Sequence, residues 1–129
     1  MLETTPLDAL NVEQAADALI YCDAAGIIRR WNHAAERLFG YGADEALGQS
    51  LDLIIPEHLR AAHWRGFNAA VSRGGARSLG RPSITRALGR DGRKLYAEIS
   101  FAMIIDASGE VLGSVAIARQ VAMPERTGT

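Results

Sequence analysis

The sequence predicts an α+β domain built on a five-stranded antiparallel sheet with helices on one face, and three observations predict it. Two short runs rich in β-branched, aromatic and apolar residues, ALIYCD and IIRRWN, are separated by Asp23-Ala24-Ala25-Gly26, the composition of a tight turn. The middle of the chain, from Asn32 to about Ser72, then carries its apolar residues at helical spacing. Three more strand-like runs follow: SITRALG, KLYAEISFAMII and EVLGSVAIARQV. The first two are joined by Arg90-Asp91-Gly92-Arg93, whose Asp-Gly pair suits a type I′ hairpin, and the last two by Asp106-Ala107-Ser108-Gly109. A space between sheet and helices is where a ligand would sit.

Each element has a local reason. Thr5-Pro6-Leu7-Asp8 has the form of a helix start, with Thr5 as N-cap and Pro6 in the first helical position. The helix that follows offers only Leu7, Leu10, Ala15 and Ala18, so it must lean on the domain or on a second copy. Asn32 caps a helix through Ala34, Ala35, Leu38 and Phe39, and Gly40 ends it. ADEALG forms a second short helix with acids in its first turn, and LDLII leads to Pro56. The organisation is an N-terminal capping helix over residues 1–17, a single domain over 18–121, and a tail or linker start over 122–129.

The longest helical stretch is IIPEHLRAAHWRGFNAAV, a loop ending at Pro56 and then a helix that fades near Ser72 before Arg73-Gly74-Gly75. Leu59, His63, Phe67 and Val71 are spaced by one helical repeat and share a face, so His63 is the single titratable group on an apolar stripe. His58, in the first turn, and His33, after a capping residue, are weaker candidates for a site.

Composition excludes several function classes. With 129 residues, 48% hydrophobic and 22% charged, the chain suits one globular domain. A net charge of -1 with dispersed Lys and Arg gives no footprint for nucleic acid. Cys22 stands alone, so no intrachain disulfide or zinc knuckle forms and a reducing compartment is expected. The start of the chain lacks the pattern of a signal peptide and no apolar run suits a membrane span, which reads as cytoplasmic. There is no Gly-rich phosphate loop, GxSxG elbow or carboxylate pair, so no catalytic constellation is visible.

Asp23 with Gly26-Ile27-Ile28, the run WNHAAERLFGYGADEALGQSL, the RDGR hairpin and DASGEVLGSVAIARQV together resemble a PAS sensor domain, over roughly Ala18 to Val121. The resemblance implies the PAS fold and a binding module, not an enzyme in its own right, with a signal-transduction role in which the domain senses a ligand and informs an output domain or partner. Within the family, LIIPEHLRAAHWRGF is similar to the haem-binding PAS domains of bacterial oxygen sensors. That similarity places His63 on the axial ligand of a b-type haem and implies sensing of a diatomic gas, O2, CO or NO, or of redox state. A neutral imidazole on an apolar face suits iron, with Leu59, Phe67 and Val71 shielding the porphyrin edge. A homodimer through the N-terminal helix or the sheet is the expected assembly.

On the far side of the implied pocket, the position of the oxygen-sensing arginine in the rhizobial-type kinases falls on Ser83. That of the distal methionine in the phosphodiesterase-type sensors falls on Arg81. Pro82 would let Arg81 turn inward to donate to a bound gas, the alternative being a solvated or propionate-paired arginine. Leu79, Ile84, Leu88, Ile99, Phe101, Met103 and Ile117 are the apolar residues expected to line the pocket, with Met103 available as a soft sixth ligand. The light-sensing flavin domains of this fold carry a reactive cysteine in a helical Asn-Cys-Arg motif, whereas Cys22 falls on a strand. The alternative reading is a haem-free PAS interaction module, or a sensor of a small organic ligand, in which His63 is structural.

Overall fold

Residues 5–73 and 82–122 are described by the structure, a computed structural model. In chain order they form α1 (Leu7–Gln14), β1 (Ala18–Asp23), β2 (Ile28–Trp31), α2 (His33–Phe39), α3 (Ala43–Ala46) and a 3-10 turn (Leu51–Ile54). The long helix α4 (Glu57–Arg73) and the strands β3 (Ser83–Leu88), β4 (Lys94–Ile105) and β5 (Val111–Gln120) complete them. The strands make one five-stranded sheet in the order β2-β1-β5-β4-β3, and every pairing is antiparallel. The α+β architecture expected from the sequence is the one observed. Leu79 and Arg81, the glycine break after Arg73 and the tail from Met123 lie outside the described residues.

Turn chemistry sets the sheet. Asp23 Oδ1 accepts the backbone N–H groups of Ala25 and Ile27 at 3.0 and 3.1 Å, which closes the β1–β2 turn, and Gly26 takes a φ of 80° there. The β3–β4 turn has positive φ at both central residues, Asp91 and Gly92, as a type I′ hairpin requires. Asp106 Oδ1 accepts from the N–H groups of Ser108 and Glu110 in the β4–β5 turn.

Period-two alternation then sorts the side chains. On β1, Ala18, Ile20 and Cys22 are buried; on β4, Leu95, Ala97 and Ile99; on β5, Ala118. β2 departs from strict alternation because a register shift against β1 leaves Cys22 opposite Ile28 and Ile20 opposite Trp31. That irregularity lets both Ile28 and Trp31 turn inward, where Trp31 meets Phe39 of α2 with ring centroids 5.6 Å apart.

Asn32 joins three elements. It is fully buried, and its Oδ1 accepts from Ala35 at the start of α2 and from Leu19 of β1. Its Nδ2 donates to Val12 O in the last turn of α1, a carbonyl that a helix end leaves without an internal partner, and to Asp17 O. α1 buries none of its residues, and it begins one residue later than expected, with Pro6 rather than Thr5 in the N-cap position. It is held chiefly by these backbone contacts, with Glu13 near Arg30 and His33 at 3.9 and 3.5 Å. On the opposite edge the β3–β4 hairpin grips the helical layer. Arg90 reaches Glu45 and the Gly40 carbonyl, and Arg93 donates to Leu38 O at the end of α2.

Candidate functional site

Between α4 and the inner face of the sheet lies a cavity of about 350 Å³, at the lower end of the range for small-molecule sites. Its sheet wall is Ile20, Ile99, Phe101, Ala116 and Ala118; its helical wall is Leu59, Ala62 and His63, with Phe39, Leu51 and Ile54 at its base. Ser83 and Thr85 of β3 add hydroxyl groups at one edge, where Arg86 also contributes. Arg86 is tied elsewhere, its guanidinium 3.2 Å from the Tyr96 hydroxyl.

The helix carries His63 to this wall for the reasons legible in its spacing. Pro56 precedes the first helical residue, Glu57 sits at the positive end of the dipole, and the stripe of Leu59, His63 and Phe67 faces inward. No residue of α4 is fully buried, so the helix leans over the cavity rather than sealing it. Its N-terminal half is anchored to the 3-10 turn: Arg60 donates to Ile55 O at 2.9 Å and to Asp52 O at 3.2 Å.

His63 has an unusual environment. Its Nδ1 is buried with no hydrogen-bond partner, which for a polar ring atom costs free energy unless something else engages it. Burial pushes its pKa below the ordinary histidine value, opposed by the charge of Asp52, so the neutral imidazole is favoured. The ring is set by aromatic neighbours. Trp64 meets it edge-on with centroids 4.6 Å apart, and Phe67 lies nearly parallel at 6.1 Å.

The other residues named from the sequence divide by strand parity. Leu59, Ile99 and Phe101 line the cavity with His63. Phe67 stacks on His63 without lining the cavity, and Val71 is half-buried further along α4. Ile84 and Leu88 do not line it, because Ser83, Thr85 and Ala87 are the residues of β3 that alternate toward it, with Arg86 reaching only its edge; Ile84 is 54% exposed. Ile117 is likewise on the outer face and 42% exposed, between the inward Ala116 and Ala118. Met103, half-buried, is beyond the cavity lining on β4. His58 is exposed, and His33 is engaged with Glu13.

Sequence reasoning missed Ala116 and Ala118, because ranking by hydrophobicity favours a large Ile over a small Ala. The strand V-A-I-A does carry the signal: a cavity needs small side chains beneath it. It also missed what holds Trp64, whose indole N–H donates to Asp52 Oδ1 at 2.7 Å. Cys22 is buried on β1 with its thiol pushed up to about 11 chiefly by burial, a poor nucleophile.

Among the described residues no group of three or more His, Cys, Asp and Glu side chains is placed to hold a bare metal ion. A haem differs, since it brings its own four nitrogens and asks the protein for one axial ligand. A neutral imidazole with a buried, unengaged nitrogen at the wall of an apolar cavity fits that demand. No helix among the described residues is long and apolar enough to cross a membrane.

Comparison with known proteins accords with this architecture. The PAS fold matches residues 9–121. The chain is 47% identical over 47 residues, 36% of its length, to the Sensor protein FixL of Bradyrhizobium diazoefficiens, covering 9% of that protein. It is 32% identical over 81 residues, 63% of its length, to the Oxygen sensor protein DosP of Escherichia coli, covering 10% of it. The chain thus spans about a tenth of the length of these curated relatives. Among solved structures, the PAS domain of a Colwellia psychrerythraea protein superposes with a TM-score of 0.76 at 23% identity, over 88% of this chain and 93% of that one. An RNA-binding light-oxygen-voltage receptor gives 0.70 at 20% identity, over 93% of this chain and 36% of that one. These neighbours share the fold, and the match over residues 9–121 establishes that the chain belongs to the PAS family.

Proposed function

We propose that this PAS domain is a haem-based sensor that binds b-type haem through His63 and relays the state of the site to an output domain or partner subunit. The observation that carries the reading is the buried, unpartnered Nδ1 of a histidine at the wall of an apolar cavity, where burial disfavours the charged ring. Similarity to FixL and DosP, the latter named an oxygen sensor, supports it. Haem, when bound, would supply an iron centre responsive to a diatomic gas, O2, CO or NO, or to redox state.

The chain's own residues have separate tasks. His63 would offer a ring nitrogen to the iron and Leu59 and Phe67 would exclude water beside it, while Ile99, Phe101 and Ala116 form an apolar wall across the cavity. An apolar surround favours retention of the macrocycle and sets the dielectric near the iron. Val71 is assigned to the porphyrin edge, and Arg81, which lies outside the described residues, is assigned as a partner for a propionate or a bound gas. Relay requires that the ligated and unligated states differ in contacts at α4 or the sheet. A homodimer through α1 or the outer sheet face is the route we assign to that relay, with the domain in the cytoplasm.

The test is the absorption spectrum of protein reconstituted with haem, for wild type and His63→Ala. A Soret band in wild type, with altered ligation in His63→Ala, is expected. Absence of the band, or unchanged ligation in the variant, refutes the reading and leaves His63 structural in a haem-free module.

A further inference from the structure

Among the described residues no hydrogen bond engages Nδ1 of His63, so the packing around the ring bears on its orientation. The geometry points to Trp64 as a positioning residue for His63, held in place by Asp52 and Gly26, an assignment that rests on the haem reading for its functional consequence. Trp64 meets the His63 ring edge-on, with centroids 4.6 Å apart and planes at 80°. Its other neighbour is Phe67, at 5.2 Å and 83°, and Phe67 in turn lies nearly parallel to His63. The three rings therefore form a closed set, and moving Trp64 moves both of the contacts that bound the imidazole.

Two restraints hold Trp64. Its indole N–H donates to Asp52 Oδ1 at 2.7 Å, a short bond to a charged acceptor, on the 3-10 turn that Arg60 also grips through the Asp52 carbonyl. The far edge of the indole covers Gly26, where a Cβ would overlap two of the ring carbons. Gly26 has a φ of 80° in the β1–β2 turn, and its carbonyl accepts from Leu51 N at 3.0 Å, so the turn and the 3-10 segment are themselves joined. The result is a continuous path from the imidazole through the indole to the β1–β2 turn. A shift of His63 along α4 has to displace the indole from Gly26 or break its bond to Asp52.

The test uses haem-free protein first, which separates this assignment from haem binding. With three histidines in the chain, the His63 ring protons can be identified in NMR spectra by loss in His63→Gln. Wild type should show cross-peaks between the His63 and Trp64 rings and a slowly exchanging Trp64 indole N–H. Asp52→Leu should weaken the cross-peaks, shift the His63 ring protons and raise indole exchange about tenfold or more. Asp52→Asn, whose amide oxygen accepts the same bond, should restore all three. Trp64→Phe, which keeps a ring but lacks the N–H, should reproduce Asp52→Leu, and adding Asp52→Leu to it should change His63 no further. In haem-loaded protein, Asp52→Leu should give mixed axial ligation in the absorption spectrum, rescued by Asp52→Asn. Unchanged His63 ring shifts in both Asp52→Leu and Trp64→Phe overturn the assignment. Loss of haem binding in wild type, with the NMR effects intact, overturns only the haem reading.

Discussion

Replacing Asn32 with alanine removes a side chain that serves three elements at once. The amide makes four hydrogen bonds from a fully buried position: two accepted, from Leu19 N at 2.9 Å and Ala35 N at 3.0 Å, and two donated, to Val12 O at 2.9 Å and Asp17 O at 3.1 Å. Loss of the α2 cap costs about 1 kcal/mol. Leaving Leu19 N without a partner costs roughly 1–2 kcal/mol more, because a part-buried strand donor that loses its acceptor bears part of the desolvation penalty. The two carbonyls near α1 are only part-buried and can recover water, so each adds about 0.5 kcal/mol. The expected loss is roughly 3–4 kcal/mol, which for a domain of this size lowers Tm by roughly 10–15 °C. Urea and thermal unfolding followed by circular dichroism measure it. Asn32→Asp divides the roles, since a carboxylate still accepts from Leu19 and Ala35 but repels the Val12 and Asp17 carbonyls. In that variant the amides of α1 should lose hydrogen-exchange protection while the sheet keeps its own. A loss below about 0.5 kcal/mol for Asn32→Ala, or unchanged α1 protection in both variants, refutes the reasoning.

Other outcomes follow from the same geometry. In haem-free protein the depressed pKa of His63 means that the unfolded chain binds the proton more readily, so the stability it contributes is present above the ordinary histidine value of 6.5 and is lost as pH falls through the folded value. Unfolding free energy measured from pH 8 to 5 should decline in wild type, and His63→Phe should flatten that decline. Cys22, with its thiol at about 11 against an unfolded value of 9.0, should resist a thiol reagent at pH 8 until urea unfolds the chain, and its contribution to stability should fade as pH rises between those two values. Gly113→Ala places a Cβ against the Cys22 carbonyl and Asp23 Cα, backbone that cannot step aside, so a loss of roughly 3 kcal/mol or more in urea unfolding is expected. An alanine there that unfolds at the wild-type midpoint would contradict the observed closeness of β1 and β5.

Local chemistry was legible without any structure. β1 and β4 have the limits that alternation and turn residues implied, and Asn32, Gly40 and the Asp91-Gly92 pair act where their conformational preferences say they should. The inward stripe of Leu59, His63 and Phe67 was likewise readable, since helical spacing alone puts those residues on one face. Strand faces were harder. Ile84, Leu88 and Ile117 attract attention as large apolar side chains, yet each sits one residue out of phase with the cavity. A strand has two faces, and a one-residue difference in register exchanges them all.

The sequence by itself determined the order of elements, their turns and caps, the PAS resemblance and the one histidine on the apolar stripe of α4, because these depend on residues within a turn or two of one another. Only the tertiary structure decided that Ala116 and Ala118 floor the cavity, that Nδ1 of His63 is left without a partner, and that Trp64 is pinned between Asp52 and Gly26. Those facts join residues far apart along the chain. Such juxtapositions arise from how the sheet pairs and how α4 lies across it, which no local propensity encodes.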